Sequence, residues 1–165
     1  MKIVIEQEHF IRILKRMTHE IIERNDNLND IILVGIEKKG IPYAKEIQRL
    51  ISVFEGVNIP LETINIDYHR DDDKKSESVT FNFINNINNK VIILVDDVLY
   101  TGRSVRAAMD AVMDFGRPSK IELAVFVDRG HRELPIRADF IGKNIPTSKD
   151  ERVECDFVNK RVLIV

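Results

Sequence analysis

Three short, nearly uninterrupted apolar runs limit what this chain can fold into: IILVGI at 31–36, VIILV at 91–95 and IELAVFV at 121–127. A strand with one wet face alternates apolar and polar residues. A strand that is apolar throughout has both faces covered, the habit of a parallel sheet sandwiched between helices. The segments between these runs carry helical period. In EQEHFIRILKRMTHEIIERN, Phe10, Ile13, Leu14, Met17 and Ile21 recur at helical spacing, and Asn25 is a stop signal. Residues 41–51 read as a second helix, and SVRAAMDAVMDF as a third, halted by Gly116 and Pro118. IPLETINIDY is a strand with polar alternation. HRDDDKKSES has no apolar anchor and is expected to be a mobile loop, and short strands are expected after DRGHRELPIRADFIGKNIPTS. Strands alternating with helices define the α/β class with a mostly parallel, helix-covered sheet.

Composition is needed only to close off other classes. With 165 residues and no repeats or linker, a single domain over 1–165 is expected, with 44% apolar residues to build its core. No apolar run approaches the roughly 18 residues of a membrane span. MKIVIEQEHF lacks the basic region and long apolar stretch of a secretory signal, so the cytoplasm is the expected compartment. Cys155 is the only cysteine, which excludes an intrachain disulfide and a cysteine-based zinc site; it reads as a small, partly buried residue near a C-terminal strand. A formal net charge of −2 means that any nucleic-acid binding must come from a local basic face.

The second apolar run leads directly into two carboxylates, in VIILVDDVLYTGRS. In open α/β sheets ligands sit beyond the carboxyl ends of the strands, which is where Asp96 and Asp97 are expected. The helix that follows offers unpaired N–H groups and a partial positive charge, both suited to phosphate. Thr101 and Ser104 supply hydroxyls, Gly102 allows close approach, and Arg103 adds a cation. A helix cap accounts for one aspartate but not for two together with Thr-Gly. A sugar phosphate uses both features, its vicinal hydroxyls donating to the acids while its phosphate fills the turn. A Walker A loop is excluded, since no G-x-x-x-x-G-K-[ST] is present.

An apolar strand, an acidic pair and a following Thr-Gly turn closely resemble the phosphoribosyl-diphosphate (PRPP) motif of type I phosphoribosyltransferases. VDDVLYTGRSVRAAMDA, LAVFVDRGHRELPIRADFIGKNIPTSK and, more loosely, HEIIERN and LVGIEKKG resemble the pyrimidine operon attenuation family, bifunctional uracil phosphoribosyltransferases that also bind RNA. The resemblance spans nearly the whole chain. It implies the type I fold, with a mostly parallel sheet flanked by helices, a small hood and a flexible loop. It also implies that Asp96 and Asp97 accept from the ribose hydroxyls, while Val98, Leu99, Tyr100, Thr101, Gly102, Arg103 and Ser104 form the 5′-phosphate loop. Glu37, Lys38, Lys39 and Gly40 correspond to the pyrophosphate loop, and Arg70 with the acids behind it to the closing loop. Val127, Asp128 and Arg129 lie where the family holds the base. Mg²⁺ is the implied cofactor, held mainly by ligand oxygens and water with no firm protein ligand. PRPP, uracil, UMP and the leader RNA of pyrimidine genes are the implied partners, with homo-oligomers expected.

Two departures stand out. Lys38-Lys39-Gly40 replaces the family's usual Thr-Arg-Gly, which keeps charge but loses the planar fork of a guanidinium. Asp67 and His69 are unusual for the closing loop, and Asp73-Lys74-Lys75 reads as a solvated tip. For RNA, Lys15 and His19 lie one turn apart on the first helix with Arg12 and Arg16 beside them, and the later block adds Arg129, His131, Arg132, Arg137 and Lys143. His19 and His131 lack partners at metal-ligand spacing, which argues against zinc. Three readings therefore stand: a uracil phosphoribosyltransferase that also attenuates transcription, an RNA-binding regulator that keeps the pocket as a nucleotide sensor, and a phosphoribosyltransferase for another base without an RNA role.

Overall fold

The computed structural model describes residues 1–71 and 74–165, and for 67–71 and 74–78 the backbone alone. Its strands are β1 (Lys2–Ile5), β2 (Ile31–Glu37), β3 (Leu61–Asp71), β4 (Lys74–Phe81), β5 (Val91–Leu99), β6 (Lys120–Asp128), β7 (Phe140–Asn144), β8 (Val153–Asp156) and β9 (Arg161–Ile164). The helices are α1 (Gln7–Arg24), α2 (Ile41–Glu55) and α3 (Arg103–Phe115), with a short 3-10 turn over Leu28–Asp30. Six strands form the main sheet in the order β4-β3-β2-β5-β6-β7; only the β3–β4 pair is antiparallel. Strands β1, β9 and β8 form a separate three-stranded sheet that joins the two ends of the chain as a hood. Among the described residues, no helix is long and apolar enough to cross a membrane.

The continuous apolar runs are explained by burial on both sides. Ile31 and Leu33 of β2, Ile93 and Val95 of β5, and Ala124 and Phe126 of β6 face the core built with α1 and α2. Their neighbours Ile32, Val34, Ile92, Leu94, Leu123 and Val125 face the core built with α3. Each strand residue is thus withdrawn from water on one side or the other, a gain of roughly 1.5–3 kcal/mol for each large side chain. An aromatic group ties the layers together: Phe10 of α1 lies 4.4 Å from Phe126, Tyr43 of α2 lies 5.1 Å from it, and Phe157 beside the hood meets Tyr43 at 5.0 Å.

Three features differ from expectation. Strand β1 went unread because KIVI is too short to show a period. The segment expected to be a loop after Tyr68 is strand on both sides: β3 runs to Asp71, β4 begins at Lys74, and Arg70 pairs with Lys75 in register. A terminal hairpin is held by main-chain hydrogen bonds to one neighbour, so it needs no apolar anchor. The side chains of Asp67, His69, Arg70 and Lys75, and residues Asp72 and Asp73 altogether, lie outside what is described. Finally, β5 does not stop at its apolar run but continues through the acidic pair to Leu99, because β6 keeps pairing with it as far as Leu99↔Asp128.

Candidate active site

The extension of β5 creates the site. Strand β2 accompanies β5 only to Gly35↔Val95 and then turns away, so Asp96–Leu99 are paired on the β6 side alone. The departing chain forms the turn Glu37–Gly40, with a cis peptide between Glu37 and Lys38. Gly40 then caps α2, its N–H donating to Ile36 O at 2.9 Å. A Cβ at Gly40 would lie 2.3 Å from Val95 O and 2.7 Å from Ile36 O, so only glycine lets this turn press against β5. Between turn and strand lies a cleft of about 380 Å³ lined by Glu37, Lys38, Lys39, Asn65, Asp96, Asp97 and Ser104, among others.

The two acids differ in setting. Asp97 is 8% exposed, and one of its oxygens accepts from Val98 N at 2.7 Å. Asp96 is half-buried and accepts from Asp97 N at 2.8 Å. Burial, reinforced by the Asp97 charge, pushes the Asp96 carboxyl well above the usual carboxylate range, while Lys39 pulls the other way. A hydroxyl donating to Asp96 would favour its ionised form, so the pair is suited to receive a diol. Beneath it, burial raises the Tyr43 hydroxyl and the half-buried Cys155 thiol above their ordinary values, with Asp97 adding to both. Cys155 is therefore a neutral thiol, unlike a nucleophile.

A second hollow of about 150 Å³, lined by Asp96 and Val98–Val105, adjoins the first. Gly102 sits at φ 93°, a left-handed conformation that glycine adopts freely, and caps α3. The first amides of a helix have no intrahelical partner and point outward, which makes this turn an anion cradle. Arg103 N donates to Thr101 Oγ1 at 3.3 Å. The Arg103 guanidinium is turned to Glu133, its Nε 3.1 Å from Oε1.

The remaining expected residues fall into distinct settings. Val127 is fully buried in the core, and Asp128 is buried with its Oδ1 accepting from Gly130 N at 2.9 Å, so neither side chain lines the cleft. Arg129, expected both at the base and in the RNA face, is turned inward. It is 7% exposed, its Nε donates to Thr147 Oγ1 at 3.0 Å, its Nη2 donates to the Ser148 and Glu151 carbonyls, and its guanidinium lies 4.0 Å from the Tyr100 ring centroid. His131 is half-buried, with one ring nitrogen hydrogen-bonded to the Thr147 carbonyl. Lys15, His19, Arg132, Arg137 and Lys143 are exposed, and His19 stacks on Phe54 at 4.4 Å. Helix α1 lies on β7, where Arg16 donates to the Ile141 and Gly142 carbonyls. That contact brings Lys143 to the basic face of α1, along with His9, whose pKa is lowered by burial and then by Lys143, Arg12 and Arg16. His9 was missed, although it stands at helical spacing before Arg12 and Arg16.

Residues 2–158 match the phosphoribosyl transferase domain, and the chain belongs to that family. Within it, the chain is 50% identical over 161 residues to the bifunctional protein PyrR of Actinobacillus succinogenes, covering 93% of this chain and 89% of the relative. The bifunctional protein PyrR of Fusobacterium nucleatum is 49% identical over 158 residues, with the same coverage of each chain. Among solved structures, the hypoxanthine phosphoribosyltransferase of Trypanosoma cruzi superposes with a TM-score of 0.81 at 16% identity, over 99% of this chain and 90% of that one. A hypoxanthine phosphoribosyltransferase of Staphylococcus aureus gives 0.77 at 17% identity, over 92% and 79%. These two likenesses establish the fold.

Proposed function

We propose that the chain is a uracil phosphoribosyltransferase, converting uracil and PRPP to UMP and diphosphate, and a UMP-responsive attenuator that binds the leader RNA of pyrimidine genes in the cytoplasm. The observation that carries the enzymatic half is the acidic pair on a stretch of β5 that is paired on one side alone, flanked by a phosphate cradle on one side and a cationic turn on the other. The high identity to proteins called bifunctional PyrR supports the choice of uracil and of RNA.

In this reading Asp96 and Asp97 accept from the ribose hydroxyls, and the turn over Thr101–Ser104 holds the 5′-phosphate. The nitrogen of uracil bonds to ribose C1′ as the bond from C1′ to the diphosphate oxygen breaks. The electron pair leaves with diphosphate and the nitrogen loses its proton. No protein nucleophile is needed; catalysis comes from alignment and from cations at the departing charge. Lys38 and Lys39 are exposed at the mouth of the leaving-group turn and suited to that task. The hard oxygens of Glu37, Asp96 and Asp97 fit Mg²⁺ held mostly by substrate and water, and that ion, when bound, supplies positive charge to the diphosphate oxygens. Arg70 is assigned to closure over PRPP by the resemblance. Homo-oligomers are part of the proposal.

A turnover assay with PRPP, Mg²⁺ and uracil, hypoxanthine or guanine tests the reaction; UMP as the dominant product is expected. The absence of any product beside tight UMP binding would favour a regulator that keeps the pocket as a sensor, the reading that Lys39 in place of arginine favours. For RNA, Arg132→Ala or Arg137→Ala is expected to weaken leader-RNA binding by about tenfold, as loss of a phosphate or base contact does. An unchanged titration for both variants would remove this segment from the interface.

A further inference from the structure

The phosphate loop does not stand alone. Arg129 N donates to Leu99 O at 3.1 Å and Glu133 N to Thr101 O at 2.9 Å, so the 129–136 segment is hydrogen-bonded along the back of the loop. Leu134 and Ile136 close the space beside Gly102, within 3.5–3.8 Å of where its Cβ would be. Through this connection the Glu133 carboxylate comes from a distant part of the sequence and stands next to the anion cradle. There it engages Arg103, the one cation within the turn, at 3.1 Å.

We infer that Glu133 is a positioning residue for the transfer reaction: it competes with the ligand's 5′-phosphate for Arg103 and holds the cradle against weakly bound anions. The inference rests on the reading that this turn takes a 5′-phosphate. The competition is one that a phosphate wins. Both side chains of the pair are 54% exposed and share a single Nε–Oε1 contact, so their mutual hold is weak. A phosphate dianion offers more charge and a bidentate match to a guanidinium. Without a ligand, Glu133 cancels the charge of Arg103 at the cradle, and a phosphate that takes Arg103 leaves the Glu133 carboxylate unpaired beside it. Every phosphate that enters meets this cost; a ribose 5-phosphate ester offsets it through its diol on Asp96 and Asp97, whereas free phosphate has nothing to offset it and leaves the cradle largely empty.

The test is binding of inorganic phosphate, ribose 5-phosphate and UMP to the full chain, with Glu133→Gln as the variant. The account expects all three to bind about threefold more tightly to E133Q, within the range of exposed ion pairs. It expects the KM for PRPP to fall by a similar factor with kcat unchanged, Glu133→Asp to keep wild-type affinities, and the gain to shrink at high salt. Unchanged or weaker phosphate binding by E133Q would overturn it. Should E133Q fold poorly, Arg103→Ala supplies the second route. It removes the cation that a bound phosphate takes over and leaves the Glu133 charge facing the cradle, so R103A should bind all three ligands several-fold or more weakly at low salt, with the loss shrinking at high salt. Binding by R103A at wild-type affinity would overturn the competition. Ribose 5-phosphate separates the two proposals: if it responds to E133Q while uracil is not used, the choice of base fails and the role of Glu133 stands.

Discussion

The turn proposed to hold the 5′-phosphate and the turn proposed to hold the leaving group are built by different means. Each follows a sheet strand, precedes a helix and contains one indispensable glycine. In the first loop the glycine is chosen for conformation: Gly102 lies at φ 93° with only ordinary van der Waals neighbours where a Cβ would be, and the loop is tied to the 129–136 segment by two main-chain hydrogen bonds and an ion pair. In the leaving-group turn the glycine is chosen for contact: Gly40 has an ordinary φ of −77° but lies against the carbonyls of Val95 and Ile36. In the proposed reaction, one loop is prebuilt around a phosphate that stays bound throughout. The other is a close-fitting turn with exposed lysines, facing a group that must depart.

Substitutions can break or sharpen this contrast. The largest effect is expected where both regions meet. Asp97→Ala should leave the fold intact and reduce PRPP turnover by about a thousandfold, since alignment of the ribose is lost; undiminished turnover would refute the ribose assignment. Gly40→Ala follows, because its methyl meets backbone that cannot step aside. We expect about a hundredfold loss of turnover, with destabilisation of about 2–3 kcal/mol in a denaturant titration.

Asp96→Asn separates stability from function. The raised pKa of Asp96 means that the folded state holds this proton more tightly than the unfolded chain does. The associated stability is fully present below the ordinary aspartate range and is lost as pH rises through the raised value. Asparagine removes that loss, so D96N should melt higher than the wild type at neutral pH, by about 2–4 °C for each kcal/mol recovered. The difference should vanish in acid, and turnover should fall. The smallest effect is Lys39→Arg, which restores a guanidinium to the turn and should lower the KM for PRPP about threefold. An unchanged KM would show that the turn's amides and Lys38 already hold the leaving group.

Much of this was legible from side-chain pattern, and the remainder lay where pattern carries no information. Runs such as VIILV announced two-sided burial, and alternate residues do face opposite cores. The same pattern could not show that β5 continues through Asp96 and Asp97, because that extension is held by backbone pairing to β6. The hairpin after Tyr68 was misread as loop for the same reason. Arg129 carried the signature of a surface cation, yet its partners are carbonyls about twenty residues further on, which only the folded chain brings near. Glu133 drew no attention in the sequence; its place at the cradle depends on the bond from its own amide to Thr101.

A crystal structure of the chain with UMP tests the central claim most directly. The account predicts the ribose hydroxyls on the Asp96 and Asp97 carboxylates, with the 5′-phosphate seated over Thr101–Ser104. A nucleotide bound away from β5, with both acids and the turn untouched, would contradict it.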